Sequence, residues 1–177
     1  MKKSVVAAAL AMTAAHGAKA PSGAEHLHVV RTGSLRVEAP PELAFKLFTA
    51  PGEKLWIDEW DPAVVSGDGL ERGTVFITDI HETTIWIVVD FDREARHALY
   101  ARVAPDSRAG TVEVSVDPDG DGGSIVRVSY ELTGLSEAGN GILRKFDETS
   151  YAAMMLTWEQ MIREANIDYA SQFFAGL

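Results

Sequence analysis

The chain is 177 residues long, 46% apolar and 24% charged, which suits one globular domain with an ordinary core. Its 26 Asp and Glu outnumber 16 Lys and Arg, for a formal net charge of -10; beyond Lys2 and Lys3 the basic residues are scattered singly, so a nucleic-acid partner is excluded. There is no cysteine, which removes disulfides, thiolate catalysis and Cys-ligated metal from consideration.

Residues 1–20 differ from the rest. Lys2 and Lys3 precede the apolar stretch Val5 to Ala15, and small residues follow at Gly17, Ala18 and Ala20. This pattern is expected of a secretory signal peptide, cleaved after Ala20 or earlier at Ala15 or Gly17, leaving one domain over 21–177. An apolar run of about 11 residues falls short of the roughly 20 a bilayer span needs, so no stable membrane insertion is expected after its removal. The alternative is an Ala-rich N-terminal helix. Under the first reading the protein is periplasmic or secreted.

From His26 to Glu38, apolar Leu27, Val29, Leu35 and Val37 alternate with polar residues, the pattern of a half-buried strand, with Gly33 as a bulge or bend. Pro40-Pro41 stops it and opens a short helix to Thr49 that buries Leu43, Ala44, Leu47 and Phe48. Pro51-Gly52 breaks that helix, and Glu53 to Trp60 sets Trp56 and Trp60 one helical turn apart before Asp61-Pro62. Six strand candidates follow at short intervals: Ala63 to Ser66, Thr74 to Ile80, Thr83 to Phe91, His97 to Val103, Thr111 to Asp117 and Ser124 to Leu132. Their connections are too short for crossover helices, so pairing is antiparallel. In the last two, Val112, Val114 and Val116, and Val126, Val128, Tyr130 and Leu132, mark one packed face. Thr83 to Phe91 is apolar on both parities, which predicts a cover over its outer face.

Asn140 to Phe174 reads as a single long amphipathic helix, with Leu143, Phe146, Tyr151, Met154, Met155, Trp158, Met161, Ile162, Ala165 and Tyr169 spaced by three and four. A broad apolar stripe after an antiparallel meander is buried most easily if the sheet curls around the helix, and such a curl leaves a cavity.

This order resembles the helix-grip fold of the START, Bet v 1 and polyketide-cyclase (SRPBCC) superfamily. The resemblance is carried by Val37-Glu38-Ala39-Pro40-Pro41-Glu42, Pro51-Gly52-Glu53-Lys54-Leu55-Trp56, Gly73-Thr74-Val75-Phe76, Trp86 to Asp92 and Met154-Met155-Leu156-Thr157-Trp158, over about residues 26–165. It implies an α+β domain: a curved antiparallel sheet of about seven strands around a long C-terminal helix, with two short helices after strand 1. It also implies a pocket with Trp56 and Trp60 at its mouth, Phe76, Trp86 and Tyr100 on the sheet, and Tyr151, Met154, Met155 and Trp158 on the helix. No family catalytic set maps onto this sequence residue by residue.

Asp117 to Gly122 imitates the first half of a calcium loop, but its twelfth position is Val128 rather than a bidentate glutamate, so a hairpin turn is expected. His26, His28, His81 and His97 show no metal-ligand spacing and are expected to face solvent. Tyr100 and Arg102 share a strand face near Asp90 and Glu113. Pointing inward, Arg102 would need a carboxylate partner and could orient a ligand's carbonyl or acid group; pointing outward, it makes a surface ion pair. No P-loop, dinucleotide fingerprint or nucleophile elbow occurs, and no metal or cofactor is implied.

The expected function is binding of a small hydrophobic or amphipathic ligand, such as a lipid, sterol or polyketide, in a carrier or sensor role. The expected contacts are Trp56, Trp60, Phe76, Trp86, Tyr100, Arg102, Tyr151, Met154, Met155 and Trp158. Two alternatives stand beside it. One is a cyclase, aromatase or dehydratase without nucleotide cofactor, using Arg102, Tyr100 and Glu113 as acid and base; the other is a protein-protein interaction module. The sequence leaves oligomeric state open.

Overall fold

The computed structural model describes residues 25–165 and 167–175, so the expected signal peptide lies outside the described residues. Strand β1 (His28–Val37) is followed by two short helices, α1 (Pro41–Lys46) and α2 (Ala50–Glu53). Then come β2 (Ala63–Ser66), β3 (Val75–Thr78), β4 (Thr84–Asp92), β5 (His97–Ala104), β6 (Arg108–Pro118) and β7 (Ser124–Gly134). Helices α3 (Glu137–Lys145), α4 (Glu148–Glu164) and α5 (Ile167–Ala175) complete the chain. The strands form one curved antiparallel sheet in the order β1-β7-β6-β5-β4-β3-β2, and α4 lies in its concave face. This is the expected helix-grip fold. None of the described helices is long and apolar enough to cross a membrane.

The C-terminal stretch is three helices rather than one, and capping chemistry explains the first break. Asp147 is extended, and its carboxylate accepts from the Ser150 amide at 2.8 Å, starting α4 afresh after α3 ends at Phe146. Ala165 is again extended and ends α4. In α5, Ala170 and Phe174 are buried; the Tyr169 side chain is outside what the structure describes.

Pro51-Gly52 starts a helix as well as ending one. Thr49 caps α2 by accepting from the Gly52 amide at 3.2 Å, while Pro51 occupies the first turn, where its missing N–H is not needed. A Cβ on Gly52 would lie 1.9 Å from the Lys46 carbonyl oxygen, so only glycine lets α2 fold this tightly onto α1. That close approach positions Glu53.

Two expectations about the sheet change, and the expected hairpin turn at Asp117 to Gly122 is present. Gly33 produces no bulge, since β1 pairs with β7 in unbroken register; it makes room for α4, whose Met155 Cγ and Tyr151 ring would lie 2.8 and 2.9 Å from an added Cβ. Register shifts lie elsewhere, in β2 between Val64 and Ser66 and in β4 between Val88 and Asp90. The β4 shift moves the inward positions from Trp86 and Val88 to Phe91, which stacks on Phe45 at 5.0 Å, and so accounts for part of the two-parity apolarity. No outer cover is found among the described residues, in which Ile87 and Val89 are exposed. The Asp117 to Gly122 segment forms the β6–β7 turn, in which Asp119 accepts from the Asp121 and Gly123 amides and from Arg36.

Candidate functional site

Between the concave sheet and α4 lies a cavity of about 500 Å³, within the range of small-molecule sites. The lining residues exposed at its rim are Asp58 and Glu59 after α2, His81 in the β3–β4 loop and Ile142 of α3. Sheet register decides which side chains reach the interior. Trp86 pairs with Arg102, Tyr100 with Val112, and Val112 with Tyr130, so all five project from the same face. Phe76 and Trp86 stack with rings 5.9 Å apart and 4° from parallel, and Trp60 closes on both edge-on.

Of the sequence-derived contacts, Trp60, Phe76, Trp86, Tyr100, Arg102, Met154 and Trp158 border the cavity. Trp56, Tyr151 and Met155 do not. Trp56 is buried behind the wall, its indole N–H donating to the Leu47 carbonyl at 2.7 Å and its ring against Phe48 and Trp158. Tyr151 and Met155 occupy the α4 face against β1, where the Tyr151 hydroxyl donates to the Val128 carbonyl at 2.7 Å. Met154, Trp158 and Met161 recur at helical spacing on the neighbouring face and line the cavity. Glu113 is corrected as well. It projects from the outer face with His97, to which it is bonded at 2.8 Å, and cannot serve interior chemistry.

Arg102 points inward, and its carboxylate partner is Glu82 of the β3–β4 loop, at 3.6 Å from Nη2. The same Glu82 oxygen is held by Arg108, at the start of β6. The Arg102 guanidinium lies 5.4 Å from the centre of the Trp86 ring. Its Nη1 is buried and has no hydrogen-bond partner among the described residues. Burial holds the Arg102 pKa below its usual value, and Arg108 adds to that, opposed by Tyr130 and Glu82.

Glu53, Tyr130, Arg108 and Glu82 also border the cavity and were absent from the sequence-derived set. Glu53 retains some accessible surface because it borders the cavity, yet desolvation pushes its carboxyl from 4.5 to about 8. Its carboxyl forms no hydrogen bond or ion pair among the described residues. Burial pushes the Tyr130 phenol up to about 12, a rise moderated by Arg102. Tyr100 is raised by burial and by the charge of Glu53, and its hydroxyl donates to the Phe48 carbonyl at 3.2 Å. The cavity thus has an aromatic and thioether body with isolated polar groups set into it. No group of three or more metal-ligating side chains occurs among the described residues.

Residues 28–165 match the family described as polyketide cyclase / dehydrase and lipid transport. The chain belongs to that family. Solved structures share the family's architecture at low identity. Ara h 8.0201 is 16% identical with a TM-score of 0.53, covering 76% of this chain and 97% of its own. Norcoclaurine synthase from Thalictrum flavum, in complex with dopamine and hydroxybenzaldehyde, is 16% identical with a TM-score of 0.57, covering 80% and 90%. Ginseng major latex-like protein 151 from Panax ginseng is 17% identical with a TM-score of 0.57, covering 77% and 95%. These likenesses show the fold alone. No curated protein matched the chain.

Proposed function

We propose that this family member is exported through its N-terminal segment and holds a small hydrophobic or amphipathic molecule in the interior cavity, as a carrier or sensor. The observation that supports this most is the cavity of about 500 Å³ with one buried, unpartnered donor, Arg102 Nη1, on its wall. An apolar body contributes affinity through burial, at about 25 cal/mol per Å², and the lone donor sets orientation. Burial of several hundred Å² then supports roughly micromolar binding after the costs of association. Thermal shift and native mass spectrometry against lipids, sterols and aromatic polyketides test the reading. A ligand at 100 times its Kd stabilises by about 2.7 kcal/mol, and a protein that ignores every class ends the proposal.

Glu53 favours a second reading, an enzyme of cyclase or dehydratase type. A carboxyl with a pKa near 8, facing the same cavity as Arg102 and Tyr130, can accept and return a proton at neutral pH. In that case Glu53 takes the acid-base role first expected of Glu113. Turnover of a β-keto substrate that disappears in Glu53→Gln, with binding retained, would establish it; binding without turnover returns the protein to the carrier reading.

A further inference from the structure

The charge balance at the inner end of the β3–β4 loop says more about the ligand. Arg102 and Arg108 are both largely buried, with side chains 12% and 14% exposed. They share one carboxylate, and both contacts fall on the same oxygen of Glu82. Glu53 forms no ion pair with either arginine, so the pair carries one positive charge more than its partner neutralises. Burying such a surplus is costly unless a further anion arrives. A neutral carbonyl could accept from Nη1 but would leave the charge in place. An acid group would meet both needs, and guanidinium presents donors matched in shape to a carboxylate or sulfonate.

Glu82 is also the group best placed to be displaced. It lies in the short connection between β3 and β4 and is twice as exposed as either arginine, at 28%. The loop is held on either side by Thr83 Oγ1 donating to Asp79 at 2.8 Å and Thr84 Oγ1 donating to the Glu82 carbonyl at 3.3 Å. Neither bond uses the Glu82 carboxylate, so that side chain can turn to solvent while the loop backbone stays in place.

Resting on the cavity reading above, we infer that the ligand is an amphipathic organic acid, whose apolar body fills the cavity and whose anionic head seats on Arg102 and Arg108 in exchange for Glu82. Glu82 is then an internal competitor that keeps the arginines paired when the cavity is unoccupied. Asp58 and Glu59 at the rim oppose an approaching anion, which slows entry more than it weakens the final contacts.

A matched pair of probes separates charge from shape: anilinonaphthalene sulfonate and the neutral N-phenylnaphthylamine, which share one aromatic skeleton. Titrated into the full chain by fluorescence, the sulfonate should bind about tenfold or more tightly than the neutral probe, as expected of a charge-assisted contact. Glu82→Gln should tighten the sulfonate by about tenfold and leave the neutral probe within about twofold. Arg102→Gln should bring the two affinities together, and dodecanoate should displace the sulfonate from the wild-type protein. Equal affinity for both probes, or a Glu82→Gln variant that treats them as wild type does, overturns the acid assignment while leaving a hydrophobic cavity standing. If neither probe binds, the cavity reading falls and this inference with it. Glu82→Gln leaves two largely buried arginines without a counter-charge, so each variant is checked for folding by circular dichroism, and the comparison of the two probes on the wild-type protein decides the acid assignment even if neither variant folds.

Discussion

Glu53 makes a prediction whose sign and size follow from its surroundings. Its carboxyl titrates at 4.5 when solvated and about 8 in the fold, so between those values the folded protein keeps a proton that the unfolded chain has released. Stability therefore declines as pH rises from about 4.5 and levels off above about 8. One pKa unit corresponds to about 1.4 kcal/mol, so the rise from 4.5 to about 8 sets an upper bound of about 5 kcal/mol; water entering the open cavity reduces this to about 2. Glu53→Gln keeps the volume and removes the titration. Urea denaturation of both proteins across this pH range should show equal stabilities at the acid end, up to a constant offset from the amide. The variant should gain about 2–5 kcal/mol on wild type at the alkaline end, or roughly 4–20 °C in Tm. Asp68, Asp119, Glu137 and Asp147 titrate below their usual values and destabilise the fold as pH falls, but they act on both proteins and cancel in the difference. Two curves that run parallel throughout would mean that Glu53 is solvated, and would remove the basis for assigning it acid-base chemistry.

Other substitutions test the packing around the cavity. Met154→Trp should fill the cavity from α4, weakening either fluorescent probe by at least about tenfold while changing stability by less than about 1.5 kcal/mol; undiminished binding would place the ligand elsewhere. Gly33→Val should cost about 1–3 kcal/mol in urea denaturation by pressing on Met155 and Tyr151. Pairing it with Met155→Ala should recover part of the loss, and strict additivity would refute the contact. Tyr151→Phe deprives the Val128 carbonyl of a buried donor and should lower stability by about 1 kcal/mol, seen as a Tm lower by roughly 2–4 °C.

The order of elements was legible because strand alternation and helical spacing are local signals, and the register they imply put Tyr100 and Arg102 on one face. The same parity extends from Val112 back to Arg108 and from Val128 on to Tyr130, so these two cavity residues were within reach of the sequence pattern. Glu53 and Glu82 were not. Glu53 directly follows the Pro51-Gly52 break, where no periodic signal marks a charged side chain for burial, and its burial depends on the approach of α2 to α1, a tertiary event. Glu82 sits in a connection with no periodicity and finds its arginines only once β3, β4, β5 and β6 are assembled. Glu113 failed for a simpler reason: in the β5–β6 pairing it stands opposite Leu99, one position out of phase with Tyr100 and Arg102. Trp56, Tyr151 and Met155 carry apolar spacing as good as their neighbours'. That spacing shows that a side chain is buried, and leaves undecided whether it meets protein or empty space.

All four tryptophans of the chain belong to the aromatic assembly around the interior, with Trp56 against Trp158 at 5.6 Å and Trp60 against Trp86 at 6.1 Å. Intrinsic emission therefore originates from one region of the molecule, with no distant indole to dilute the signal. Quenching, spectral displacement or energy transfer to an absorbing guest can each be followed without attaching a dye, and native fluorescence becomes a direct gauge of occupancy.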